Sequence, residues 1–327
     1  MIDKQTENVA AESQGSDTRE RILVIKLSAL GDVVLAMGPF AAIRAAHPDA
    51  HITVLTTKPY VDLMKASGFF DSIAIDRRPK LTQVREVLAL RRFLKNGRFD
   101  RVYDLQTSDR TGFYFKLFWP GPKPEWSGIA RGCSHPHANP KRDAMHTVAR
   151  QREQLAIAGI DGVQEADLSW LDGDISALAP EAPYILLIPG GSAHRPEKRW
   201  PARSYGELAS LLAEAGYVPL LLGAAAENAI LAEINALCPA ARNLCGRTDF
   251  GQIAALARGA AAAVGNDTGP MHIIATLGCA ATVLFSGASD PALTAPNGPA
   301  VRLLQRPRLA DLAVADVRAS LTNIVRG

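Results

Sequence analysis

Short apolar runs and longer amphipathic stretches alternate along almost the whole chain. In the first half, Ile22–Leu27 and the segments 51–57, 72–76 and 101–106 predict strands. Between them, helices are expected from Asp32, from Pro59, over Leu81–Lys95 and over about Ala144–Ala158. A short apolar run, a Ser/Gly turn and then a helical period make up the βα unit of a parallel sheet. The pattern restarts at Tyr184. Strands are expected at 184–191, 218–223, 241–246, 261–266 and 281–287. Helices should follow Pro201, where proline suits a first helical turn, and should run to Leu237, over Phe250–Ala260 and from Pro270. Segment 119–143, rich in Pro, Gly and basic residues, reads as a long functional loop, and 172–183 breaks the periodicity as a linker.

The expectation is an α/β protein of two doubly wound, Rossmann-like domains, 21–171 and 184–310. A disordered tail, 1–20, precedes them, and a C-terminal helix within 311–327 follows, with the first domain as its expected seat. Ligands of such sheets bind beyond the strand C-termini, so the site belongs in the cleft between the domains.

Composition narrows the class. The 327 residues are 47% hydrophobic and 21% charged, enough for a sizeable core. No apolar run approaches the ~20 residues of a membrane span, and the polar start lacks the apolar stretch of a secretion signal. The four cysteines form no CxxC pair, which suits a reducing cytoplasm. Charge is unevenly placed: residues 21–164 hold 22 Lys/Arg against 13 Asp/Glu, a balance of +9, while 165–327 hold 12 against 15, a balance of −3. The first domain should therefore favour an anionic partner. Few aromatics sit among its charges, so a nucleic acid is not expected.

Candidate chemistry gathers at strand ends. In "GNDTGPMHIIATLG" (265–278) a strand meets a helix. Thr268 and Gly269 can offer backbone N–H groups to a phosphate there. Asp267 can cap the helix or accept sugar hydroxyls, and His272 sits in the first turn, where the helix dipole disfavours a cation. "PGGSAHRPEKRWP" (189–201) joins glycines, Ser192 and Lys198 in a loop suited to a diphosphate. Glu227 lies just past a strand, placed to hold ribose hydroxyls or to complement a helix dipole. In "KLSALGDVVLAMGPF" (26–40) a carboxylate, Asp32, stands where a helix N-terminus would suit a phosphate, so it either caps the helix or does chemistry. No GxGxxG, P-loop or nucleophile elbow is present. "CSHPH" (133–137), with His146 beyond it, matches no common zinc frame.

Taken in order, the stretches beginning at Lys26, Pro189 and Gly265 resemble the bacterial heptosyltransferases of glycosyltransferase family 9. The resemblance implies a GT-B architecture and an inverting transfer of a heptose, or a related sugar, from an ADP-sugar to the inner core of lipopolysaccharide. Neither a cofactor nor a protein-bound metal is implied, the ADP-sugar being a co-substrate. It implies Asp32 as general base and Lys198 as neutraliser of the departing diphosphate. Glu227 falls to the ribose, Thr248 to the adenine, Asp267 to the sugar hydroxyls, and Ser192, Thr268, Gly269 and His272 to the phosphates. Its acceptor would be an anionic lipid A–Kdo species at the inner face of the cytoplasmic membrane. Lys123, Arg131, Lys141 and Arg142 would draw that acceptor in. A GT-B nucleotide-sugar epimerase and a non-catalytic nucleotide-sugar or nucleic-acid binding protein remain as alternatives.

Overall fold

In the computed structural model, which describes residues 18–191 and 194–321, the chain builds two all-parallel six-stranded sheets. The strands of the first are β1 (Arg21–Ile25), β2 (His51–Thr56), β3 (Ser72–Ile75), β4 (Arg101–Asp104), β5 (Glu125–Gly128) and β6 (His135–Pro136). Those of the second are β7 (Tyr184–Ile188), β8 (Val218–Leu221), β9 (Arg242–Asn243), β10 (Ala262–Asn266), β11 (Ala281–Phe285) and β12 (Val301–Gln305). The strand orders are β3-β2-β1-β4-β5-β6 and β12-β11-β10-β7-β8-β9. Numbered within its own domain, each is the doubly wound order 3-2-1-4-5-6. Helices cover both faces, so β1, β7, β10 and β11 are apolar on successive residues rather than alternating.

The order reverses between β1 and β4 in one sheet and between β7 and β10 in the other, which opens a crevice at each switch point. The register pairs Ile25 with Asp104 across the first crevice and Ile188 with Gly265 across the second.

Three expectations need correction. Segment 119–143 is not one long loop: β5 and β6 lie within it and complete the first sheet. These strands are too short and too rich in Gly and Pro to signal themselves, and pairing of β5 to β4 and of β6 to β5 defines them. The strand β12 also escaped notice, because it is an edge strand with mostly polar or exposed positions. The C-terminal helix, Val314–Ser320, packs on the second domain and not the first. Val314 and Val317 join Trp200, Leu208 and Leu284 in one apolar cluster, and the Trp200 indole N–H donates to Leu312 O at 3.0 Å. The tail is described only from residue 18, and β1 begins at Arg21 as expected.

The domains meet along a seam. Helix Leu30–Leu35 of the first lies against helix Gly269–Thr276 of the second so closely that glycine is needed on both sides. A Cβ on Gly31 would stand 2.6 Å from His272 Nε2, and one on Gly269 would stand 2.5 Å from Leu30 Cβ. Tyr60 stacks on Phe250 with ring centroids 6.4 Å apart. The His146 ring lies 3.1 Å from Ala295 O through Nε2.

Candidate functional site

Four segments converge at the two switch points: the turns after β1 and β4 from one domain, and those after β7 and β10 from the other. The turn after β1 is held from beneath. Gln106 Oε1 accepts from the N–H groups of Leu27 and Ser28 at 2.8 and 3.1 Å. This delivers Asp32 to the third position of its helix, half-buried, where Oδ2 accepts from the Ala29 N–H at 3.1 Å. The capping reading of Asp32 is thus real, and it occupies one carboxylate oxygen of the two.

Beneath Asp32 the strands end in charges. Lys26, buried, donates through Nζ to Leu105 O at 3.1 Å. Burial pulls its ammonium below the usual range, Asp32 and Asp104 opposing and Arg150 and Arg142 assisting. Asp104 is wholly buried. Its Oδ1 accepts from the N–H groups of Gln106 and Thr107 at 3.1 and 2.9 Å, while Oδ2 makes no hydrogen bond among the described residues. Burial pushes this carboxyl up to about 6 against those donors and the nearby Lys26. Arg142 reaches in from the loop before helix Thr147–Ile157, donating to Thr107 Oγ1 at 2.5 Å and to Asp143 at 3.1 Å. Sequence reasoning missed Lys26 and Asp104; their signal is a charged residue closing an otherwise apolar strand.

Across the seam, His272 is buried, and its Nδ1 makes no hydrogen bond among the described residues. Burial brings its pKa down to about 4; Asp267 and Asp32 oppose the shift and His146 adds to it. A neutral imidazole therefore puts no cation beside Asp32. Lys198 and Asp267 form an ion pair at 2.8 Å with both side chains largely buried. An ammonium carries three donors, so this pair still leaves Lys198 able to meet a phosphate.

Asn266, which sequence reasoning passed over as a strand end, organises the loops. Its fully buried amide accepts from Trp200 N at 3.0 Å and Tyr205 Oη at 3.2 Å, and donates to Pro189 O at 2.8 Å and Gly190 O at 3.1 Å. The turns after β7 and β10 and the segment carrying Lys198 are thereby tied to one side chain. Glu227 does related work. Its two oxygens accept from the Gly191 and Ala224 N–H groups at 2.8 Å each, and a Cβ on Gly190 would fall 1.9 Å from Oε1. A ribose would use its remaining lone pairs. Thr268 is the N-cap of helix Gly269–Thr276, in extended conformation and with no side-chain cap bond, so its backbone opens the helix toward the cleft. Thr248 follows β9 at the sheet edge, just ahead of the Asp249 N-cap. Ser192 lies outside the described residues.

The proposed acceptor cations are not all brought together. Arg142 reaches the cleft floor, and Arg131 and Lys141 are exposed on turns after β5 and β6. Lys123 stands over the Phe115 ring, 4.4 Å from its centroid, and precedes β5. In a parallel sheet that is the end opposite Asp32, so Lys123 is removed from the cleft. The Cys/His segment disperses: Cys133 Sγ contacts Gly128 O, His135 bonds Ser134 and His146 caps helix Thr147–Ile157. Among the described residues no group of three or more His, Cys, Asp or Glu is placed to hold a metal, and no helix is long and apolar enough to cross a membrane.

Comparison with known proteins agrees with this fold. Residues 87–314 match the family model described as glycosyltransferase family 9 (heptosyltransferase). The chain is 29% identical to lipopolysaccharide heptosyltransferase 2 of Salmonella typhimurium over 312 residues, 87% of this chain and 88% of that protein. It is similar in structure to ADP-heptose lps heptosyltransferase II of E. coli, with a TM-score of 0.74, 25% identity and coverage of 93% and 98%. UDP-GlcNAc 2-epimerase of Methanocaldococcus jannaschii, at a TM-score of 0.58 and 11% identity, shares the fold alone.

Proposed function

The chain belongs to glycosyltransferase family 9, and we propose that it moves a heptose from ADP-heptose to the inner core of a lipopolysaccharide acceptor. The observation that carries this reading is the close approach of two turns across the seam: Gly31, next to Asp32, lies against the His272 ring, and Asp267, just ahead of the helix that carries His272, pairs with Lys198. A carboxylate of one domain and a cation–carboxylate pair of the other thus both stand on segments that meet at the seam, where the buried imidazole is neutral.

In this reading the acceptor lies over the first domain and its hydroxyl gives its proton to Asp32 as the oxygen attacks the anomeric carbon from the face opposite ADP. The C–O bond to the diphosphate breaks, the configuration inverts, and the charge developing on ADP meets Lys198 and the N–H groups of Thr268 and Gly269. Asp267 orients the sugar hydroxyls, while Glu227 and Thr248 hold the nucleoside. Lys198, rather than a metal, answers the diphosphate charge, and no resident cofactor takes part. Arg131, Lys141 and Arg142 meet the acceptor's anionic groups, at the inner face of the cytoplasmic membrane.

Mass spectrometry of two Kdo–lipid A acceptors, one heptose-free and one already carrying a heptose, each incubated with ADP-heptose and the purified protein, tests the assignment, with transfer to either one supporting it. One heptose should be added, with ADP released in step. Lys198→Ala and Asp267→Ala should weaken calorimetric ADP-heptose binding about tenfold or more, whereas Arg131→Gln and Lys141→Gln should leave it unchanged. Donor turnover without acceptor would instead indicate epimerisation or hydrolysis and would sink the reading.

A further inference from the structure

Most of the first domain's large apolar side chains are inside, yet Leu81, Val84 and Leu88 are 70%, 61% and 50% exposed. Val84 and Leu88, one turn apart on helix Val84–Asn96, lie off the face formed by Leu90 and Leu94, which is buried in the core, and Leu81 stands in the turn just before that helix. The helix therefore has two apolar stripes and only one is covered. Ile75, at the end of β3, and Trp119, beside the helix's second half, are exposed as well. Trp119 O accepts from Arg91 at 3.3 Å, and Pro120 O accepts from Lys95 at 2.8 Å.

The surround is cationic. Residues 77–98 hold eight Lys/Arg against one acidic residue, Glu86. A solvated surface explains the charges but not the uncovered leucines, and a protein interface of ordinary composition would not be so depleted of acidic groups. An apolar stripe rimmed by Lys and Arg suits an interface where hydrocarbon lies beneath phosphate.

This face is also fastened to the cleft. Between β3 and the helix, the Arg78 guanidinium donates to Ser28 Oγ, in the turn that leads to Asp32. Pro79 O accepts from Arg110 at 3.0 Å. Asp76 accepts from the Arg78 N–H at 2.7 Å and from Tyr114 Oη at 2.6 Å. The Leu81 end of the patch is thus fixed beside the turn carrying the proposed base.

We propose that Leu81, Val84 and Leu88, with their cationic rim, dock the protein on an anionic lipid bilayer and seat the cleft mouth at its surface. The proposal deepens the functional reading above and rests on it for the lipid-linked acceptor.

Co-sedimentation of the full chain with two kinds of vesicle tests it: phosphatidylcholine alone, and phosphatidylcholine with roughly one-third phosphatidylglycerol. The wild type should bind the anionic vesicles about tenfold or more better, less so as salt rises. The triple variant Leu81→Ser, Val84→Ser, Leu88→Ser should lose about tenfold in partitioning. Arg85→Gln with Arg92→Gln should lose mainly the salt-sensitive part. Both variants should keep wild-type turnover on a deacylated, soluble acceptor, which also shows that they fold. Unchanged vesicle binding by the triple variant would overturn the proposal. So would gel filtration showing that the triple change splits a dimer, because the face would then belong to a second copy of the chain. Vesicle binding without heptose transfer to any acceptor would overturn the functional reading and leave the docking surface standing.

Discussion

In the proposed mechanism Asp32 serves local structure and chemistry together. Its Oδ2 closes a capping contact with the Ala29 N–H, so replacement by asparagine, which keeps an acceptor oxygen, should preserve the helix start. Asp32→Asn should therefore lower kcat by about 10²–10⁴, as removal of a general base does, with ADP affinity near wild type by calorimetry. Retained kcat would reduce Asp32 to a cap. Two buried groups nearby bear on pH. Folded Asp104, at about 6 against an ordinary 3.8, keeps a proton that the unfolded chain has released, so its stabilising effect fades as pH rises through that window. Folded His272, at about 4 against 6.5, has shed a proton that the unfolded chain still holds, so its effect fades as pH falls. Each amounts to about 3 kcal/mol at 1.36 kcal/mol per pKa unit, and the two oppose each other. Asp104→Asn should unmask the histidine: urea unfolding should show the variant losing about 3 kcal/mol more than wild type between pH 7 and 4. Parallel pH profiles for the two proteins would contradict this assignment.

At the scale of elements, the loops after β7 and β10 have their shape because Asn266 closes four hydrogen bonds at the end of a buried strand. Removing a satisfied buried amide leaves its partners unpaired, at about 1–3 kcal/mol. Asn266→Ala should lower the Tm by several degrees and weaken ADP binding, although this amide contacts no ligand in the proposed mechanism. Scanning calorimetry with and without ADP would separate the two effects; a variant that loses stability yet binds ADP normally would show that the loops hold their shape without it.

For the molecule as a whole, catalysis needs both domains at once, and the seam sets their spacing. Gly31 allows helix Leu30–Leu35 to approach His272, where a Cβ would meet the ring at 2.6 Å. Gly31→Ala should press the domains apart. Turnover should fall about 10²-fold, as a misplacement of about 1 Å can do, while ADP, held by the second domain, binds as before. Wild-type turnover would mean that the seam opens during catalysis and does not set the geometry. The +9 and −3 of the two halves operate at this scale also; in the proposed reading one half faces an anionic acceptor and the other a nucleotide held by local groups.

The sequence by itself determined the class of fold, the two-domain division and most strands, because a strand buried on both faces must be a continuous apolar run such as 21–25 or 281–285. It also singled out Asp32 and Asp267, polar residues beside glycine turns at strand ends, and with them Lys198 in the cationic loop after β7 and His272 in the first turn of a helix. Tertiary structure alone decided what lacks such a signal. Strand β5 exists because β4 offers an edge to pair with, β6 because β5 does and β12 because β11 does, and the C-terminal helix found its seat where Trp200 and Leu208 left apolar surface open. The same holds for the charges: Lys26 and Asp104 are far apart in sequence and adjacent only because β1 pairs with β4. The neutrality of His272 follows from burial against Gly31 of the other domain, a contact between residues 241 positions apart that no local pattern encodes.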